Sequence, residues 1–259
     1  MNSSYEQKHP LYAASFTKRR KAMDLYEGGE RIEGNRAYLT RHTYESDKQY
    51  DIRANRATYR NFAAPIVDVF ASFINEGRPE RAIPDALCPI EADADRYGMT
   101  ADAFFADVTR LAAAGGARFV IVDMEQKKGE TVAEDRASGR RMVPYFTSIS
   151  PDDVWDWGMD AKGLAWAVVH SEEMEHPAAF AAPLRYETLT VWTRDSWTRY
   201  RRPMKDKENT EYAIAEDGER RHGLGAVPLV PFLFEPTSPM TGLPATDDVL
   251  SLILRIYRR

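Results

Sequence analysis

Between Thr100 and Glu125 the spacing of apolar residues changes period with no linker between, which restricts the chain to folds where a helix hands directly over to a strand. In TADAFFADVTRLAAA, Phe104, Phe105, Val108, Leu111 and Ala112 recur at three- and four-residue steps, one face of a helix, and Thr100 stands at its N-cap position. Gly115 and Gly116 follow, residues suited to the left-handed turn that closes a helix. ARFVIVDME then begins at once as a short, continuous apolar strand. Dinucleotide and Walker phosphate loops have the opposite polarity: they follow a strand and open a helix, so that free amides point at the phosphate. A helix C-cap is therefore expected at Gly115-Gly116, not a phosphate cradle.

Upstream, residues 1–30 read as a helix around Leu11, Tyr12, Phe16, Met23, Leu25 and Tyr26, stopped by Gly28-Gly29. A polar linker, Glu30–Thr43, leads to a stretch capped at Ser46 or Asp47. There Tyr50, Tyr59, Phe62, Ile66, Val69, Phe70, Phe73 and Ile74 recur at helical spacing, and the expectation is a long scaffold helix burying this aromatic stripe. Pro65 removes a backbone donor and crowds the preceding turn, so a kink or break is expected there; Gly77 and Pro79 close the element. GRPERAIPDALCPIEADADRYG is a breaker-rich connection.

After the helix–glycine–strand unit, QKKGETVAEDRASGRR reads as a charged hairpin or loop. MVPYFTSISPDDVWDWGMDAKGLAWAVVHSEE alternates well enough for two or three strands. Leu189, Val191, Trp192, Trp197 and Tyr200 alternate around Arg194-Asp195, a hairpin turn, and RRPMKDKENTEYAIAEDGERRHG suggests a further hairpin. In HGLGAVPLVPFLFEP, Pro228 and Pro231 keep an extended segment off any central strand position. PATDDVLSLILRIYRR returns to helix: Thr246 as cap, Asp247 and Asp248 at the positive end of the dipole, and Val249, Leu250, Ile253, Ile256 and Tyr257 facing one way as a packing surface. Its apolar pattern is still running at Arg259, so a chain cut within a longer helix or a frayed last turn is expected.

The search for chemistry assigns no catalytic, cofactor-binding or metal-binding residue. With 35 Lys+Arg against 40 Asp+Glu and a net charge of -5, the chain lacks the basic footprint of a simple nucleic-acid-binding module. Its single cysteine, Cys88, permits no intrachain disulfide and no cysteine-based zinc site. No run approaches the length of a membrane span, and a soluble protein made inside the cell is expected. In HSEEMEH, His170 and His176 are six residues apart, not the four that place two ligands on one helix face, and a solvated acidic loop is expected. Ser150-Pro151-Asp152-Asp153 has the form of a turn followed by a helix cap. Trp155, Trp157, Trp166, Trp192 and Trp197 are expected in a core, where strand-borne aromatics usually pack.

Several segments, in order, resemble the wing region of tailed-bacteriophage portal proteins, the head–tail connectors. They are HPLYAASFTKRRKAMDLYEGGERI with YLTRH, NRATYRNFAAPIVDVFASFINEGRP, FFADVTRLAAAGGARFVIVDME, PYFTSISPDDVWDWGMDAKGLAWAVV, and VPLVPFLFEP leading to TDDVLSLILRIYRR. No single motif is specific; their order and spacing carry the resemblance. It implies an α+β, non-enzymatic structural subunit: an N-terminal helical region over 1–85, a mixed helix and antiparallel-strand wing domain over 86–243, and the start of a stem-like helix over 244–259. It further implies a dodecameric ring at one capsid vertex of the virion, assembled in the host cytoplasm. Such a ring contacts capsid and scaffold proteins, docks terminase and a tail adaptor, and passes double-stranded DNA without reading its sequence; no membrane is involved. Portal subunits continue beyond the point matching Arg259, so most of the wing is expected here without the terminase-binding clip. The alternatives are an intracellular α+β enzyme of unknown substrate, with Asp123, Asp152 and Asp153 at strand ends, or another virion assembly protein with a similar wing fold.

Overall fold

A computed structural model describes residues 5–77, 79–125, 131–139, 142–204 and 211–258. The chain is α+β. Its described helices are α1 (Pro10–Glu27), α2 (Asp47–Arg56), α3 (Ala63–Ile74), α4 (Pro89–Ala92), α5 (Ala101–Gly115), α6 (Val132–Ala137) and α7 (Leu250–Tyr257). The strands are β1 (Ala117–Asp123), β2 (Tyr145–Ile149), β3 (Val154–Asp160), β4 (Gly163–Glu175), β5 (Leu184–Thr193), β6 (Ser196–Pro203), β7 (Ala213–Arg221), β8 (Leu229–Leu233), β9 (Glu235–Ser238) and β10 (Thr241–Leu243). They form a three-stranded sheet in the order β2-β1-β8, a five-stranded meander β3-β4-β5-β6-β7 and the β9–β10 hairpin, all antiparallel.

β1 is the centre of the three-stranded sheet and is covered on both faces, which is why it reads as an unbroken apolar run. Ala117, Phe119 and Ile121 meet the five-stranded sheet in a core that includes Trp155, Trp157, Leu189, Trp192 and Trp197. Val120, on the opposite face, packs with Phe104 and Val108 of α5. The Thr100 hydroxyl accepts from Ala103 N to cap α5, and Gly116 closes it in the left-handed region at φ 85°. β8 lies at the sheet edge, where its proline, Pro231, costs no ladder bond to a second neighbour.

The N-terminal half departs from its periodicity. Ser46 caps α2 through a reciprocal pair with Gln49. The long helix is broken over residues 57–62, and Pro65 falls in the first turn of α3, where no backbone donor is needed. Tertiary bonds make the break: Tyr59 N donates to Glu33 Oε1 at 2.8 Å, Tyr59 Oη donates to Leu25 O at 2.8 Å, and Asn61 Nδ2 donates to Tyr26 O at 2.7 Å. Of the expected stripe, Tyr50 and Tyr59 are buried and Ile66 is half-buried, but the part carried by α3 does not become its buried face. α3 buries Ala63, Val67 and Ala71, with Val67 packed against Ala113 and Ala114 of α5, while Val69, Phe70, Phe73 and Ile74 are exposed. Small side chains allow the helices to approach closely, so they take the inner face and the large ones point outward.

α7 also differs from the expectation. It begins at Leu250, and Thr246 does not cap it; that side chain is buried, and its carbonyl accepts from Val249 N and Leu250 N in a preceding turn. α7 lies in a second core with Leu25, Ile32, Leu39, Tyr50 and Tyr59. Tyr257 Oη donates to Ile32 O at 2.8 Å, and Arg258 Nε donates to Tyr38 O at 2.8 Å. The segment read as a polar linker thus supplies buried Ile32, Tyr38 and Leu39, each removal from water contributing about 1.5–3 kcal/mol for the aliphatic side chains.

Three smaller expectations also change. The described part of the charged 126–141 segment contains α6, with Thr131 Oγ1 accepting from Glu134 N as in a capped helix, and its remaining residues lie outside those described. His170 to Glu175 extend β4 instead of forming a loop, because they continue its ladder with β5 to the pair Glu175↔Leu184. The Ser150–Asp153 turn feeds β3, not a helix, since Val154 pairs with Val169 at once.

Candidate functional site

A cleft of about 540 Å³ opens where the two larger sheets meet. Three elements build it. β1 ends at Asp123, followed by Met124 and Glu125; the β5–β6 hairpin sets Trp192 opposite Trp197; and β7 delivers Arg220 and Arg221, with His222 and Leu224 beyond. Pro144 and Pro228 complete the walls. The turn at Arg194-Asp195 creates the floor, bringing the two indoles to 6.0 Å between ring centroids. His222 is held at the rim, with Nε2 3.1 Å from Thr193 O and its backbone N donating to Asp195 O at 2.8 Å.

The rim is charged on opposite sides. On the acidic lip, Asp123 Oδ2 accepts from Tyr145 Oη at 2.9 Å, and Glu125 pairs with Arg96 at 2.7 Å. Burial, reinforced by the Asp123 charge, pushes the Tyr145 hydroxyl above its ordinary pKa, which keeps it protonated as a donor to that carboxylate. On the basic lip the Arg220 guanidinium lies 5.9 Å from the Trp197 ring, and Arg221 is exposed. The described lining holds no serine, threonine, cysteine or lysine. Its chemistry is that of a receptor for an apolar group framed by polar contacts.

The acids singled out in sequence are not brought together as a set. Asp123 lies on the cleft, whereas Asp152 is tied to α1 through Arg19 at 3.0 Å. Asp153 faces His170 Nδ1 at 3.4 Å, and His170 Nε2 lies 3.2 Å from Glu187 while its ring stacks 4.3 Å from Trp155. Each of these acids has a structural partner. Glu173 and Glu175 pair with Arg201 across the sheet at 3.5 and 2.5 Å. Four of the five tryptophans, Trp155, Trp157, Trp192 and Trp197, are buried in the inter-sheet core.

Of the residues read as a packing surface on the last helix, Leu250, Ile253 and Tyr257 are buried within the chain and Val249 partly so. Ile256 is exposed together with Leu252, and Leu254 takes its place in the core. Sequence reasoning passed over Phe180, whose side chain is fully exposed between β4 and β5 at φ 65°. Its signal was present: a lone aromatic among alanines, bracketed by Pro177 and Pro183. Comparison of the sequence with protein-family models gives no match, and comparison with curated proteins gives none either.

Proposed function

We propose that this chain is a subunit of a tailed-phage portal, the ring at one capsid vertex through which double-stranded DNA is packaged and ejected. In that role it associates with further copies, in a dodecamer by the resemblance, and the assembly meets terminase, capsid or scaffold proteins and a tail adaptor. The observation that carries the reading is the outer face of α3. Val69, Phe70, Phe73 and Ile74 are left 45–70% exposed on one helix, a concentration of large apolar side chains that marks an interaction surface. Ile256 and Leu252 on α7 add a smaller exposed apolar surface. An assembly subunit needs such faces and no reacting groups. The ordered resemblance across the chain supplies the identity of the assembly.

The test is sedimentation velocity and electron microscopy of the purified protein, beside a Phe70→Glu/Phe73→Glu variant. The wild type is expected to form rings, and the variant to stay folded with unchanged circular dichroism while remaining monomeric. A wild type that stays monomeric under all conditions, or a variant that assembles normally, refutes the reading. The cleft alone favours a second reading, an α+β enzyme of unknown substrate. It requires Asp123→Asn to abolish an activity without changing assembly.

A further inference from the structure

The geometry points to a knob-and-cleft contact between copies: Phe180 of one chain inserts into the cleft floored by Trp192 and Trp197 of the next. The inference rests on the ring reading above and names a second pair of surfaces, beside the α3 face, that would join its subunits. Phe180 is the knob because nothing in its own chain covers it. Its relative exposure is 109%, and it adopts φ 65°, a conformation that costs a bulky side chain energy and that points to a use outside the monomer. The surrounding tip, Ala178, Ala179, Ala181 and Ala182, is small and uncharged, so a cleft can close around the ring without burying a charge.

The cleft and the tip lie at opposite ends of the same sheet. β5 starts at Leu184 beside the tip and ends at Thr193 beside Trp192, ten residues away, roughly 30 Å along a strand. A chain therefore cannot fill its own cleft, so a Phe180 that fills one comes from a second copy. One charge matches as well: Arg185, exposed on the strand that leaves the tip, can face the acidic lip at Asp123. Joining two different patches in this way is a heterologous contact, which propagates from copy to copy and closes as a ring when the rotation permits.

The test replaces Phe180 with the photoreactive aromatic p-benzoylphenylalanine, mixes that protein with isotope-labelled wild-type chain, irradiates the mixture and maps crosslinks by mass spectrometry. Crosslinks from position 180 to Trp192, Trp197, Leu224 or Pro228 of the labelled copy are expected. In parallel, Phe180→Ser should keep its circular dichroism and melting temperature, because the side chain is fully exposed, yet weaken self-association about tenfold or more. Assemblies that crosslink elsewhere, or a Phe180→Ser protein that assembles as tightly as the wild type, overturn the knob-and-cleft contact and leave the portal reading standing. A chain that never self-associates removes both.

Discussion

Gly116 is the point at which α5, β1 and the β9–β10 hairpin are held together, and replacing it tests whether that junction is as tight as its geometry implies. Phe234 N donates to Gly116 O at 3.1 Å, and Ala245 N donates to Ala113 O at 2.8 Å, so the chain that leaves β8 is bonded on both sides of the turn. A Cβ at position 116 would overlap the carbonyl of Gly242, with the C atoms of Gly242 and Leu243 each 2.9 Å away. Both obstacles are backbone, which cannot rotate aside. The left-handed conformation at φ 85° adds about 1–2 kcal/mol for alanine, and forcing an extra carbon into packed surroundings adds about 1–3 kcal/mol. Gly116→Ala should therefore cost about 2–5 kcal/mol. Gly98 supplies the control: its φ is 91°, but a methyl group there would meet nothing within 4 Å, so Gly98→Ala carries the conformational cost alone, about 1–2 kcal/mol. In thermal unfolding, at about 2–4 °C per kcal/mol for a chain of this size, the two should separate into drops of about 4–20 °C and about 2–8 °C. Equal drops for the two variants would refute the close approach of Gly116 to Gly242.

Tyr38→Phe should destabilise the N-terminal core by about 1–3 kcal/mol, because Tyr38 Oη donates at 2.5 Å to the buried Asp24 carboxylate, which would lose a donor; an unchanged urea midpoint would sink the argument. Alkaline pH should weaken the fold through Tyr59, whose hydroxyl is pushed by burial to a pKa of about 12. A folded pKa above the ordinary 10 gives stability that is complete below pH 10 and is lost as pH rises through 12. Unfolding midpoints followed across that window should fall more steeply for the wild type than for Tyr59→Phe; parallel curves would contradict the assignment.

Signals that act within a few residues of themselves were legible in the sequence. The caps at Ser46 and Thr100, the stops at Gly28 and Gly116, the Arg194-Asp195 hairpin and the edge position of the Pro231 strand all follow from hydrogen bonds and backbone preferences that need no distant partner. The candidate site was legible only in parts. Trp192 and Trp197 could be paired by the alternation around their turn, but nothing local connected them to Asp123 or Arg221.

Periodicity states which residues share a face, and it is silent on what covers that face. On α3 two faces competed for the interior: Ala63, Val67 and Ala71, small enough to let α5 approach, against the larger stripe that reads as more hydrophobic. Close packing chose the small face and left Phe70 and Phe73 outside. On α7 a repeating apolar pattern foretold a buried helix, yet the partners came from Leu25, Ile32 and Tyr59, far away in the chain. Local preference set the elements and their ends; burial against remote neighbours selected the faces, because the free energy of removing a surface from water depends on which other surface is there to meet it.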